Sequence, residues 1–83
     1  MSTPGTATDR LYCTIADVLA VPPDSLAEES APDTIPSWDS LNHLNLIMAL
    51  ESEFSINLSI DDALDMRNIG LIRTILREYG VGV

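Results

Sequence analysis

The chain predicts an all-α fold: a four-helix bundle with three longer helices, one short helix and a long first loop. Three observations lead there. Aliphatic residues recur at helical spacing in separate segments along the chain, and no segment shows the apolar/polar alternation of a half-buried strand. Asp39, Ser59 and Asn68 each stand just ahead of such a segment, where a side-chain oxygen can accept the unpaired amides of a first helical turn. At 83 residues there is one core, with no room for a second domain or a deep enclosed active site. The domain is expected over 8–80, between a flexible tail at 1–7 and a C-terminal tail at 81–83.

The first helix is expected from about Thr8 to Ala20, with Leu11, Tyr12, Ile15, Val18 and Leu19 on one face and Thr8 or Asp9 able to cap it. Cys13 lies across from that stripe near Asp17. Acidic surroundings oppose a thiolate, so an inert, partly exposed residue is expected. Val21 to Trp38 is a long connection carrying Pro22, Pro23, Pro32 and Pro36. Loops of this length in compact domains are usually functional or pinned down. Leu26, Ile35 and Trp38 are the pins, Asp24-Ser25-Leu26 can form a short helical turn, and Trp38 is a core plug beside the next helix start.

The second helix, Asp39 to Phe54, is the best defined. Stepping about 100° per residue, Leu46, Ile47, Leu50 and Phe54 gather on the core side, and Asn42, Asn45, Ala49, Ser52 and Glu53 gather opposite. Leu41, Leu44 and Met48 lie between them on the flank of Ser40, with Glu51 alongside. The apolar arc is wider than one packing face needs. Either a neighbouring helix covers the surplus, or Leu44 and Met48 form a small exposed contact patch. Ser59 then opens a short helix to about Met66, with Asp62 placed as in a loose capping box. Asn68 caps a last helix from Ile69 to Tyr79, stopped by Gly80. Ile69, Ile72, Ile75, Leu76 and Tyr79 share its buried face, while Arg73 and Arg77 form a basic stripe expected to be solvated.

Charge narrows the function. The formal charge is −9, from thirteen acids against four basic residues, all arginine. Such a field repels nucleic acid and anionic lipid and attracts basic protein surfaces. Neither a nucleic-acid nor a membrane partner is expected, and the chain is expected to be a monomer. One cysteine allows no internal disulfide, which suits a reducing cytoplasm. No apolar run approaches the roughly 18 residues that span a bilayer. The Ser/Thr/Pro/Gly start lacks the basic and apolar blocks of a secretory signal.

The candidate site is Pro36-Ser37-Trp38-Asp39-Ser40-Leu41. With Asp39 as cap, Ser40 falls at the first helical position, exposed and beside the positive end of the helix dipole, where a phosphate ester is favoured. Ser40, His43 and Asp39 also invite a nucleophile reading, but a small bundle offers no oxyanion hole or substrate cleft. His43 turns towards the core side as a packing residue, or lines the entrance of an internal cavity. Asp61, Asp62 and Asp65 fall short of a calcium loop, and one histidine with one cysteine makes no zinc site, so no metal is expected.

Asp39-Ser40-Leu41 opening an acidic amphipathic helix resembles the acyl carrier proteins, and the similarity covers nearly the whole chain. A second motif of that family, Met48-Ala49-Leu50-Glu51-Ser52-Glu53-Phe54, stands at the family's spacing. The resemblance implies a bundle of acyl-carrier type with no catalysis of its own. A phosphopantetheinyl transferase, using coenzyme A and Mg²⁺, would attach 4′-phosphopantetheine to Ser40, with Asp39 and Leu41 completing the motif. The arm's thiol would carry acyl groups as thioesters between loading and transferring enzymes that dock through basic patches. Leu44, Met48, Glu51 and Glu53 map to the family's docking face, and Ala63 and Met66 to its lower edge and the walls of the acyl cavity.

Asn42, Asn45, Ser52 and Leu64 stand where the fatty-acid type commonly has acidic or polar residues. With the stretch from Ile35 to Leu44, this looks more like discrete carriers of polyketide or specialised acyl-unit pathways. Two alternatives stay open: an aminoacyl or peptidyl carrier, including the D-alanyl type, and an acidic helical adaptor that never receives an arm.

Overall fold

The computed structural model describes residues 7–83, with side chains from Asp9 onward; residues 1–6 of the expected tail lie outside the described residues. Four helices follow one another: α1 (Ala7–Leu19), α2 (Ser40–Phe54), α3 (Ile60–Asp65) and α4 (Ile69–Glu78), with a 3-10 turn at Pro23–Ser25 in the first loop. There is no strand among the described residues. The all-α bundle of three longer helices and one short one is therefore the fold.

Local chemistry sets the helix starts. The Asn42 amide donates to Asp39 Oδ1 at 2.9 Å, the Asp62 amide to Ser59 Oγ at 3.1 Å, and the Leu71 amide to Asn68 Oδ1 at 2.7 Å. Each satisfies one of the amides that a first turn leaves unpaired. α1 begins at Ala7, so Thr8 and Asp9 lie inside its first turn rather than capping it. At the other end of α4, Gly80 takes φ +87°, the Gly80 amide donates to the Arg77 carbonyl and the Val81 amide to that of Leu76, both at 3.0 Å. That paired arrangement closes the helix as the glycine predicts.

The core is aliphatic. Leu11, Ile15 and Leu19 from α1, Leu46 and Leu50 from α2, and Ile69, Ile72 and Leu76 from α4 are fully buried. Each contributes about 1.5–3 kcal/mol relative to an exposed side chain. α3 has no buried residue within its span; Met66, just past its end, enters the core instead.

The long loop is pinned as expected, with Leu26, Ile35 and Trp38 buried, and it is also pinned in ways that sequence spacing does not reveal. The Glu28 carbonyl accepts from the Gly70 amide at 2.9 Å and the Ser30 carbonyl from the Ile69 amide at 3.1 Å, so the loop satisfies the first amides of α4. The approach is close: a Cβ at position 70 would lie 3.4 Å from the Glu28 carbonyl oxygen. The Glu28 carboxylate accepts from Tyr12 Oη at 2.6 Å and from Arg73 Nε and Nη2 at 3.1 and 2.9 Å, tying loop, α1 and α4 together.

Several expectations change here. Of the expected solvated stripe only Arg77 is exposed, its Nε donating to the Val83 carbonyl at 2.7 Å, whereas Arg73 is largely covered as it grips Glu28. The C-terminal tail at 81–83 packs back on the bundle, with Val83 buried in the core. The far side of α2 is not fully solvent-facing either: Asn42, Ala49 and Glu53 are half-buried. α1 covers part of that side, with Arg10 Nε donating to Glu53 Oε2 at 2.7 Å and its guanidinium 5.0 Å above the Phe54 ring.

Candidate functional site: a serine at the start of α2

The segment leading into α2 is fastened before the helix begins. Ser37 Oγ donates to the Leu19 carbonyl at 2.6 Å, at the end of α1, and Asn42 Nδ2 donates back to the Ser37 carbonyl at 2.7 Å. Trp38 is buried, and its amide donates to the Ile35 carbonyl at 2.9 Å. Asp39 then takes extended backbone angles, its carboxylate capping the helix. Ser40 follows as the first residue of α2 and is exposed rather than packed in the interior.

Beside Ser40 lies an open cavity of about 790 Å³, walled by Trp38, His43 and Leu44 on one side and Leu64, Met66 and Arg67 on the other. His43 connects the two sides. The Trp38 indole N–H donates to His43 Nδ1 at 3.1 Å, and His43 Nε2 lies 2.8 Å from the Ala63 carbonyl. An indole nitrogen only donates, so Nδ1 accepts; the ring proton therefore sits on Nε2 and is donated to Ala63. The rings lie nearly parallel, 18° apart, with centroids 6.3 Å apart. His43 is thus half-buried with both nitrogens engaged, as expected of a packing residue, and it also lines this open cavity. Nothing leaves it free to act as a base for Ser40.

The residues expected to form a docking face separate into three groups. Leu44 and Met48 are 62% and 59% exposed, so no neighbouring helix of this chain covers the surplus apolar arc. Leu41, Ile60 and Leu64 are exposed as well, which extends apolar surface onto α3 beyond what the spacing had marked. Ile60 and Leu64, four apart in a short helix, carried a readable signal of that extension. Glu51 and Glu53 are occupied within the molecule: Glu51 Oε2 accepts from the Leu58 amide at 2.9 Å and Glu53 pairs with Arg10. Met66 is 1% exposed and cannot belong to a docking edge, although it does wall the cavity; Ala63 is half-buried. Arg67, absent from the residues picked out by sequence, lines the same cavity as Ser40.

Among the described residues no cluster of histidine, cysteine, aspartate or glutamate could hold a metal ion, and no helix is long and apolar enough to cross a membrane. The described residues thus form a small helical bundle with an exposed serine, first in a helix capped by Asp39, beside an open cavity. Comparison with known proteins makes the class specific. The chain is 32% identical over 71 residues to the acyl carrier protein of Chlamydia trachomatis serovar L2, covering 86% of this chain and 92% of that one. It is 33% identical over 70 residues to that of Chlamydia muridarum, covering 84% and 91%. It is 34% identical over 71 residues to that of Clostridium perfringens strain SM101, covering 86% and 93%. No family model matches the chain. The chain belongs to the acyl carrier proteins.

Membership implies, in general, a carrier working through a 4′-phosphopantetheine arm. The residues present fit that group. Ser40 offers an accessible hydroxyl at a helix start, where the dipole favours a phosphodiester. The cavity beside it falls within the range of about 300–1,000 Å³ typical of small-molecule and cofactor sites.

Proposed function

We propose that the protein carries acyl intermediates as thioesters on 4′-phosphopantetheine attached to Ser40, in a polyketide or other specialised acyl-unit pathway. The observation that carries this reading is the placement of Ser40: exposed, first in a helix capped by Asp39, and on the wall of the cavity. Attachment would be performed by a phosphopantetheinyl transferase, which exchanges the Ser40 hydroxyl proton for the phosphopantetheine of coenzyme A and releases adenosine 3′,5′-bisphosphate. The arm supplies the thiol. The chain's own residues supply the rest: Asp39 fixes the helix start, Trp38 and His43 hold the cavity wall, and Leu44 and Met48 offer apolar surface to visiting enzymes. Basic patches on those enzymes would be steered by the net charge of −9 more than by Glu51 or Glu53, whose carboxylates are already engaged. The expected setting is a cytoplasmic monomer with no metal of its own.

The specialised pathway is favoured by the exposed leucine at 64 and by Asn42, Asn45 and Ser52, which leave the surface around Ser40 less acidic than the fatty-acid type. Incubation with coenzyme A and a broad-specificity phosphopantetheinyl transferase tests the carrier reading. Wild-type protein should gain the mass of one arm, and Ser40→Ala none. No gain by the wild type would favour an acidic adaptor instead. Gain by the alanine variant would place the tether on another side chain. An aminoacyl rather than acyl cargo would appear in the mass of protein loaded in its native pathway.

A further inference from the structure

We infer that Arg67, which lines the same cavity as Ser40 between the start of α2 and the end of α3, is the receiving cation for the phosphodiester carried by Ser40. This rests on the carrier reading above. Three charged groups line the cavity: Asp33, Asp39 and Arg67. A phosphodiester on Ser40 would share the cavity with two carboxylates in a chain of net charge −9, a repulsion that opposes the favourable helix dipole and that a nearby cation would offset. The half-buried imidazole there has both nitrogens committed, to Trp38 and to Ala63. Arg67 is therefore the one cationic side chain on the cavity wall among the described residues.

Arg67 is also the least committed arginine among the described residues. Arg10 is held by Glu53 at 2.7 Å, Arg73 by Glu28 at 2.9 Å, and Arg77 by the Val83 carbonyl at 2.7 Å. Arg67 reaches only Asp65, at 3.7 Å, with side chains 75% and 61% exposed. An exposed pair at that distance is weak and easily exchanged, whereas a guanidinium meets a phosphate through two parallel N–H donors. The position of the arginine favours the phosphodiester over a charged group on the cargo, because the phosphate is bonded directly to Ser40 Oγ while the cargo lies at the far end of the arm. Leu44, Leu64 and Met66 supply an apolar bed for the chain that follows.

The test uses protein converted to the holo form, with the mass gain verified first. In NMR, the Arg67 Nε–Hε cross-peak should move between apo and holo protein, and the ³¹P resonance of holo protein should shift on Arg67→Gln. Arg67→Lys should fall between the two, and Arg77→Gln should leave the ³¹P resonance in place. An Arg67 cross-peak unmoved on conversion, with a ³¹P resonance indifferent to Arg67→Gln, would overturn the assignment while leaving the carrier reading intact. Movement only when the arm bears a malonyl group, and not in the holo or acetyl forms, would give Arg67 to the cargo carboxylate and likewise overturn it. Protein that gains no arm at all would overturn both.

Discussion

At the scale of single residues, the cavity wall depends on a polar contact in a mostly apolar place. The Trp38 indole N–H, in a buried side chain, has His43 Nδ1 as its acceptor. Removing the acceptor leaves a desolvated donor, which costs about 1–3 kcal/mol. His43→Ala should therefore lower unfolding stability by about 2 kcal/mol in urea titrations followed by circular dichroism, well beyond the effect of trimming an exposed side chain. Glu28 makes a second residue-level claim. Its hydrogen bond from Tyr12, helped by Arg73, holds its carboxyl below the ordinary value of 4.5. A carboxyl with a depressed folded-state pKa stabilises the fold above its unfolded value, and that contribution is lost as pH falls through the folded value. Wild type should thus exceed Glu28→Gln in stability at neutral pH, and the gap should narrow as pH falls below about 4.5. A gap independent of pH would show that the carboxylate charge is not what holds the loop.

At the scale of elements, the starts of α2, α3 and α4 were readable, unlike that of α1, because a cap and its amide lie three residues apart: Asp39, Ser59 and Asn68 all act where their positions predict. The ends were less readable. α1 and α2 close on Ala20 and Ser55 in left-handed backbone, at φ 57° and 54°, where glycine is the usual occupant and no glycine marks the place. Ala20→Gly should consequently stabilise the protein by about 1 kcal/mol in denaturant titration, since an L-residue there is strained by about that amount. α3 has no buried residue within its span and is fastened by side-chain hydrogen bonds at both ends. Tyr79 Oη accepts from the Ser59 amide at 3.1 Å and donates to Asp62 Oδ2 at 2.6 Å, while His43 holds the Ala63 carbonyl at the other end. Tyr79→Phe should raise amide hydrogen exchange across α3 more than across α2 or α4. Equal change in all three would mean the hydroxyl is not a local fastening.

At the scale of the whole molecule, charge and long-range packing meet. Spacing identified the core stripes of α1, α2 and α4, because each stripe is a property of its own segment. It could not place Met66 inside the core, Val83 against it, or Arg10 on Glu53, 43 positions away, because those depend on how helices are set together. The same limit hid Arg67: a lone arginine after a short acidic helix has no periodic signature until the fold sets it across the cavity from Ser40. Of the site, the serine, its cap, the apolar flank and, through the family resemblance, Met66 on the facing wall were legible; Arg67 on that wall was not. For partner encounters, the net charge of −9 predicts loading by the transferase that slows as salt rises from about 0.01 to 0.5 M, as the Debye length contracts. Leu44→Asp should slow loading further while changing unfolding stability by no more than about 0.5 kcal/mol, as suits an exposed position. The central claim is tested most directly on protein isolated from its own host. Intact and peptide-level mass spectrometry should find one phosphopantetheine on Ser40, with an acyl group on the ejected thiol fragment. A native protein whose Ser40 is uniformly unmodified, or whose arm sits elsewhere, would contradict it.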